Sequence, residues 1–325
     1  MAARPPVVVV LPALLVAGLA ALAWALVSGE ARADWSSLLA ALGGSASFDA
    51  TVIRELRLPR AVAAYAGGGL LAVAGALMQV LLRNPLADPY VLGVSGGAAV
   101  GALGALSIGL STVVADAAAF TGALAAMLLV FGLARGDGSW TQTRLLLTGV
   151  IVAAGCGAVV TLMLSMAHDA RVHSMLFWLM GDASAAGRPW PALGLLALAV
   201  LACLPLARDL NVLARGDLGA RALGVAVDRL RVAIYVLASL LTATAVTMIG
   251  TVGFVGLIVP HLVRLAIGND QRVLLPASAL AGGALLVLAD TAARLVLSPL
   301  QLPVGVLTAL IGVPVFLFLL ARHYR

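Results

Sequence analysis

Uninterrupted apolar runs recur along the whole chain, and they constrain its fold more than any other feature of the sequence. A hydrocarbon core about 30 Å thick is crossed by a helix of roughly 20 apolar residues. Of the 325 residues, 62% are apolar and 10% are charged, whereas soluble domains average about 45–50% and about 25%. This composition excludes a soluble globular enzyme and a disordered chain. It predicts an all-α polytopic membrane protein.

Ten apolar segments are predicted to be membrane helices. They cover 7–28, 61–82, 93–110, 117–134, 145–167, 191–207, 232–249, 252–265, 274–295 and 303–320. The first could be read as a signal peptide, because Ala31-Arg32-Ala33 resembles a cleavage site. Its apolar stretch of 22 residues exceeds the usual signal core of about 7–15 residues, which favours a retained helix.

The arginines predict the orientation of these helices. All 20 basic residues are arginine. With the N-terminus in the cytoplasm, 13 arginines lie on the inner side and 7 on the outer side. This bias follows the positive-inside rule, so both termini are expected in the cytoplasm, and it explains the net charge of +6 without nucleic acid. Arg54, Arg57 and Arg60 crowd together on the outer side against the rule, which indicates a binding role there.

The chain lacks the residues that would supply energy or covalent chemistry. Without a lysine it has no phosphate-binding P-loop. Asp116 and Asp290 fall near the ends of predicted helices, and both glutamates, Glu30 and Glu55, fall outside them, so a proton relay across the membrane is not indicated. The two cysteines show no metal-ligand spacing. Any work that the chain performs would therefore need energy from a partner.

The segment 208–231, predicted to be cytoplasmic, is the candidate docking site for such a partner. Asp217 is expected to cap a short helix over 218–223 that Gly224 ends. An amphipathic helix of this kind fits a groove on another protein. A solvated loop that carries topological arginines is the alternative. The apolar face of the helix would consist of Leu218, Ala222 and Leu223.

The segment 163–178, predicted to be outside, is rich in methionine, histidine and aromatic residues. Histidine and methionine are common ligands of haem iron, which suggests contact with haem. The alternative is an interfacial helix whose aromatic rings lie at the lipid headgroups. The candidate substrate-contacting residues of this segment are Met166, His168, His173 and Trp178.

Small and polar residues inside the segments also carry predictions. Gly93, Gly97 and Gly101 recur every four residues, which predicts one helix face that packs closely. Gln79 lies within a membrane helix, where its amide needs a partner, so an interhelical hydrogen bond is expected. A place beside the substrate path is the alternative for Gln79.

Several motifs occur in order from Arg57 to the C-terminus. They are Arg57-Leu-Pro-Arg60, 67–79, 83–89 (RNPLADP), 92–98, 250–264, 272–276, Ala289-Asp290, Arg294 and 302–305. Together they resemble the permease subunits of type II ABC importers for iron-siderophores, haem and cobalamin, the FecCD-like group.

The resemblance implies one transmembrane permease domain over 1–325, with about ten helices per subunit, that works as a homodimer in the bacterial inner membrane. Its expected partners are two cytoplasmic ATPase subunits, which bind ATP and Mg, and a periplasmic substrate-binding protein. The chain itself would be no enzyme and hold no cofactor or metal. Haem or a ferric siderophore is the expected substrate, with cobalamin as the alternative. A passive channel or a membrane scaffold is the alternative of another class.

The resemblance also assigns roles to single residues. Arginine forks suit carboxylates, and the family's arginines pair with glutamates of the binding protein. The residues expected to dock the binding protein are Arg57, Arg60 and Arg294. The residues expected to seat on the ATPase are Leu213, Gly216, Asp217, Leu218, Ala222, Leu223 and Gly224. The second predicted helix would contribute Tyr65, Met78 and Gln79 to the substrate path.

Overall fold

The structure is a computed structural model that describes residues 7–29, 34–135, 141–184, 188–298 and 300–323. Glu30 and the cleavage-like segment at 31–33 lie outside the described residues. Within the described residues the chain forms α-helices, together with a π-helical segment and a short 3₁₀ helix. The α-helices are α1 (Val7–Val27), α2 (Trp35–Leu42), α3 (Phe48–Val52), α4 (Leu58–Leu81), α5 (Val94–Ser107), α6 (Thr112–Ala134), α7 (Gln142–Met166), α8 (Asp169–Met180), α9 (Trp190–Cys203), α10 (Ala207–Leu213), α11 (Asp217–Ala222), α12 (Val227–Ile249), α13 (Val255–Ile267), α14 (Gln271–Leu295) and α15 (Val304–His323). The π-helical segment, Ile53–Arg57, joins α3 to α4, and the 3₁₀ helix, Pro89–Leu92, lies before α5.

Each of the ten predicted segments contains an apolar helix. Six spans are long and apolar enough to cross a membrane, and the pair α9 and α10, bent by 70°, makes a seventh. Three further apolar helices, α5, α13 and α15, are shorter. The prediction of an all-α polytopic membrane protein is therefore confirmed.

Helix α4 lies at the centre of the bundle. Nearly all of its residues are buried, and Tyr65 is the exception beyond its first turn. Its glycines bring other backbones into contact with it. A Cβ atom on Gly75 would lie 1.8 Å from the carbonyl oxygen of Gly256 in α13. A Cβ atom on Gly68 would lie 2.2 Å from the carbonyl oxygen of Gly282 in α14. Lipid gives helices little hydrophobic drive to associate, so these close contacts supply the packing attraction.

The predicted glycine face of α5 is confirmed at two of its three positions. A Cβ atom on Gly97 would meet the Gly122 carbonyl oxygen of α6 at 2.4 Å, and one on Gly101 would lie 2.0 Å from that of Ala118. The prediction is wrong for Gly93, which precedes α5 with φ +73° and faces Val152 of α7. Its role is to let the chain turn into the helix, because a left-handed backbone favours glycine.

A break in the backbone separates α12 from α13. The predicted helix 252–265 begins only at Val255, because the backbone is not helical from Gly250, with φ +68°, to Phe254, with φ +69°. The Tyr90 hydroxyl satisfies the buried backbone groups of Val252 in this break: it donates to the Val252 carbonyl at 3.1 Å and accepts from the Val252 N–H at 3.0 Å. Non-helical backbone at membrane depth is tolerated where such partners satisfy it.

Gly75→Ala is expected to destabilise the protein, because the added methyl group would overlap the α13 backbone. Overpacking of this kind costs about 1–3 kcal/mol. Gly194→Ala in α9 is the matched control, since a Cβ atom there meets nothing within 4 Å. Thermal unfolding of both variants in detergent would show a lowered midpoint for Gly75→Ala alone. Equal midpoints would contradict the close-packing role of Gly75.

Candidate functional site

Charged side chains, together with one amide side chain, gather at the two ends of the helix bundle. We call the first group the Asp290 end, which comprises Arg57, Arg60, Asp182, Asp290 and Arg294. We call the second group the Asp217 end, which comprises Arg83, Gln142, Asp217 and Arg231. Helix α4 begins at the Asp290 end, and Arg83 follows it at the Asp217 end. The two groups therefore lie at opposite ends of one central helix.

At the Asp290 end, one buried carboxylate holds two arginines. Nε and Nη2 of Arg60 both lie 2.9 Å from the Asp290 carboxylate, and Nη1 donates to Gln301 at 3.0 Å. Nε of Arg294 lies 3.4 Å from the same carboxylate. The Asp290 side chain is only 3% exposed, so water screens these contacts little. The carboxylate ties the start of α4 to the end of α14.

Arg57 and Arg294 also bind the end of α1. Arg57 Nη1 donates to the carbonyls of Leu26 and Val27 at 2.9 and 3.0 Å, and Arg294 Nη1 reaches that of Ser28 at 3.4 Å. The last carbonyls of a helix lack intrahelical partners, which these guanidinium groups supply. The structure thus brings together the three predicted docking arginines and gives each an internal partner. Their docking role stays a prediction.

A cavity of about 340 Å³ adjoins this end, and α8 forms one wall of it. His173, Phe177 and Trp178 line it, and the His173 ring lies 4.6 Å from that of Phe177. Asp116 and Asp182 also line the cavity and make it partly polar. The aromatic side chains of α8 and the carboxylates of Asp116 and Asp182 therefore face the same cavity at the Asp290 end.

The segment 163–178 is divided between two helices. Helix α7 ends at Met166, and α8 begins after His168, which adopts an extended backbone. Met166 and His168 are exposed. Within the described residues, no three His, Cys, Asp or Glu side chains are arranged to hold a metal ion. Contact between this segment and a substrate stays a prediction.

The three candidates on α4 occupy different surroundings. Tyr65 packs against Gly18 of α1 and Gly283 of α14, and Met78 is fully buried. Gln79 Nε2 donates to the Leu257 carbonyl of α13 at 3.1 Å, which confirms the predicted interhelical hydrogen bond. Gln79 also lines a cavity of about 840 Å³ at the Asp217 end. Tyr65 and Met78 thus lie within the helix packing of the subunit.

The short helix of the 208–231 segment forms, one residue earlier than predicted. Gly216, with φ +134°, takes the N-cap position, so the prediction that Asp217 caps the helix is wrong. Because Asp217 is the first helical residue, its carboxylate is free to pair with Arg231 and Arg83. The predicted end is confirmed: Gly224 adopts φ +81° directly after the last turn.

The predicted apolar face of α11 points to solvent. Leu218 is 86% exposed and Leu223 is 68% exposed, and Ala222 between them is exposed as well. Leu213 of the preceding α10 is instead buried and anchors the segment to the bundle. Two exposed leucines, one on a short charged helix and one directly after it, are typical of a surface that another protein covers.

Known proteins resemble this chain over almost its whole length. The model of the FecCD transport family matches residues 14–322. The cobalamin import permease BtuC of Halobacterium salinarum is 45% identical over 274 residues, which are 83% of this chain and 73% of that protein. The hemin transport permease HmuU of Yersinia pestis is 41% identical over 83% of both chains.

A third relative and a solved structure agree with these matches. The Fe(3+) dicitrate permease FecD of Escherichia coli is 43% identical over 83% of this chain and 85% of its own. The solved structure, an ABC transporter of the metal-chelate type in an inward-facing conformation, superposes with a TM-score of 0.84 at 30% identity. It covers 96% of this chain and 98% of its own. The chain therefore belongs to the FecCD transport family and is a membrane permease of an ABC importer.

Proposed function

We propose that this permease imports a bulky metal chelate, either haem or a ferric siderophore, by alternating access. The observation that carries the proposal is the match over 96% of the chain to a transporter of the metal-chelate type. Relatives named for hemin and Fe(3+) dicitrate support the iron chelates. Relatives named for cobalamin favour that chelate as the second candidate.

The proposed assembly contains two copies of the chain, two ATPase subunits and one substrate-binding protein. The ATPase subunits hydrolyse ATP with Mg, because this chain has no lysine for a P-loop. The proposed location is the inner membrane of a bacterium, with both termini in the cytoplasm, as the excess of arginines on that side supports. The Asp217 end then faces the ATPase, and the Asp290 end faces the binding protein.

In this proposal each end of the bundle serves one partner. The exposed leucines of α11 seat on the ATPase, so nucleotide binding moves that helix. At the other end, Arg57, Arg60 and Arg294 attract carboxylates of the binding protein, which mainly sets the encounter rate and the register. The chelate then passes between the two copies of the permease. His173 and Trp178 line the cavity that adjoins the Asp290 end, which faces the binding protein in this proposal.

Growth assays test the proposed substrate. The gene for this chain is deleted and then restored, and growth is measured on haem, on ferric siderophore and on limiting cobalamin in turn. Loss and rescue on haem or siderophore are the expected results. Loss and rescue on cobalamin alone would transfer the proposal to that chelate, and unimpaired growth on all three would contradict it.

Leu218→Arg with Ala222→Glu is expected to separate the permease from its ATPase, because it places two charges in the exposed apolar face of α11. Copurification of the ATPase from detergent, together with ATP-dependent uptake in vesicles, measures the effect. Leu39→Arg in α2, another exposed leucine outside the segment, is the control and should retain the ATPase. Copurification and uptake that survive the double change would show that another segment seats the ATPase.

Arg60→Gln is expected to weaken capture of the binding protein about tenfold, which corresponds to about 1.4 kcal/mol. Asp290→Asn is the contrasting variant, since it frees both arginines from their internal carboxylate and keeps an oxygen acceptor. It should capture the binding protein at least as well as the wild type. Binding to the immobilised transporter at two salt concentrations measures both. Equal losses in the two variants would mean that the arginines stabilise the fold alone.

A further inference from the structure

Arg83 joins three elements at the Asp217 end. Its Nη2 donates to Oε1 of Gln142 at 2.7 Å and lies 3.6 Å from the Asp217 carboxylate. Nε2 of Gln142 in turn donates to the Leu81 carbonyl at 2.9 Å. Asp217 is the first residue of α11, Gln142 is the first of α7, and Leu81 is the last of α4. A continuous set of polar contacts thus connects the short helix to two membrane helices.

The other contacts of α11 offer little to replace this connection. Ala220 is its buried residue, and Leu218 points to solvent. The pair that Arg221 makes with Asp228 of α12 is exposed. Arg231 of α12 also pairs with Asp217, so the carboxylate receives two guanidinium groups. If α11 moves, the contacts of the Asp217 carboxylate with Arg83 and Arg231 are therefore the first link to the membrane helices.

The backbone and the surroundings of Arg83 suit a residue that changes partners. Its φ of +47° is a left-handed conformation, which is strained for a residue with a side chain. Such a conformation persists where other contacts hold it. The side chain is 34% exposed and lines the cavity of about 840 Å³, so space is available for another position.

We propose that Asp217, Arg83 and Gln142 transmit the movement of α11 to α7 and α4, with Arg83 as the positioning residue. The inference rests on the proposed function, in which α11 seats on an ATPase. Arginine suits this position because its planar fork holds two acceptors in fixed directions. Lysine at the same position keeps the charge without that geometry.

Arg83→Gln in the full transporter, reconstituted with its ATPase and binding protein, tests the inference. Uptake of chelate per ATP hydrolysed is expected to fall at least tenfold, while the ATPase still copurifies and still hydrolyses ATP. The probes are haem and ferric dicitrate. Asp217→Asn should lower the same ratio, and the double variant should lower it no further, because contacts in one network are not additive.

Arg221→Gln is the matched control. It removes another arginine–aspartate pair of the 208–231 segment, in which Arg221 of α11 lies 2.8 Å from Asp228 of α12. These side chains are 52% and 71% exposed, and such pairs contribute little. Arg83→Lys is the second variant, and it should lower uptake per ATP even if Arg83→Gln fails to fold.

The outcomes separate this inference from the proposed function. Arg83→Gln or Arg83→Lys with the same uptake per ATP as Arg221→Gln would overturn the inference and leave the proposed function intact. Additive losses in the double variant would also overturn it. A wild-type chain that takes up neither probe with ATP, or that does not retain an ATPase, would instead contradict the proposed function.

Discussion

Contact between helix backbones at glycine is the interaction on which the rest of this structure depends. Gly68 and Gly75 bring α14 and α13 so close to α4 that no side chain fits between them. Close approach replaces the hydrophobic drive that lipid does not supply. As a result α4 is buried along most of its length. The two charged groups therefore lie at the ends of one tightly enclosed helix, at a fixed separation along its axis.

Both ends of α4 use the same arrangement, a carboxylate shared by two arginines. Asp290 binds Arg60 and Arg294, and Asp217 binds Arg83 and Arg231. Burial distinguishes the two: the Asp290 side chain is 3% exposed and that of Asp217 is 27% exposed. If a buried carboxylate loses one partner, its charge is left less compensated, which destabilises the fold. The Asp290 group therefore favours one arrangement of the helices. The more exposed Asp217 group permits exchange of partners, which the proposed movement of α11 requires.

The sequence predicts the ten apolar helices well because hydrophobic length is a local property. It also predicts the short helix of the 208–231 segment and its glycine end, which follow from local turn chemistry. It misses the cap at Gly216, because aspartate at the next position is the better N-cap candidate by residue type. The late start of α13 is missed for a different reason, since Tyr90 stabilises the break from 162 positions away.

The charged contacts of the candidate sites are the part that the sequence leaves open. Arg60 and Asp290 are 230 positions apart, and nothing local in the sequence pairs them. The crowding of Arg54, Arg57 and Arg60 against the positive-inside rule drew attention to two members of the Asp290 end, Arg57 and Arg60, but gave none of their internal partners. The binding role predicted for these arginines stays a prediction. Arg83 lies within the RNPLADP stretch, which indicated the family and gave no role for the side chain.

The most direct test of the account is flux through vesicles that contain the permease alone, compared with vesicles that also contain its ATPase and binding protein. Haem, ferric dicitrate and cyanocobalamin serve as probes. The account predicts that the permease alone passes none of them, and that the complete assembly takes up one of them only with ATP. Passage of a probe through the permease alone, without ATP, would identify a passive channel and contradict the account.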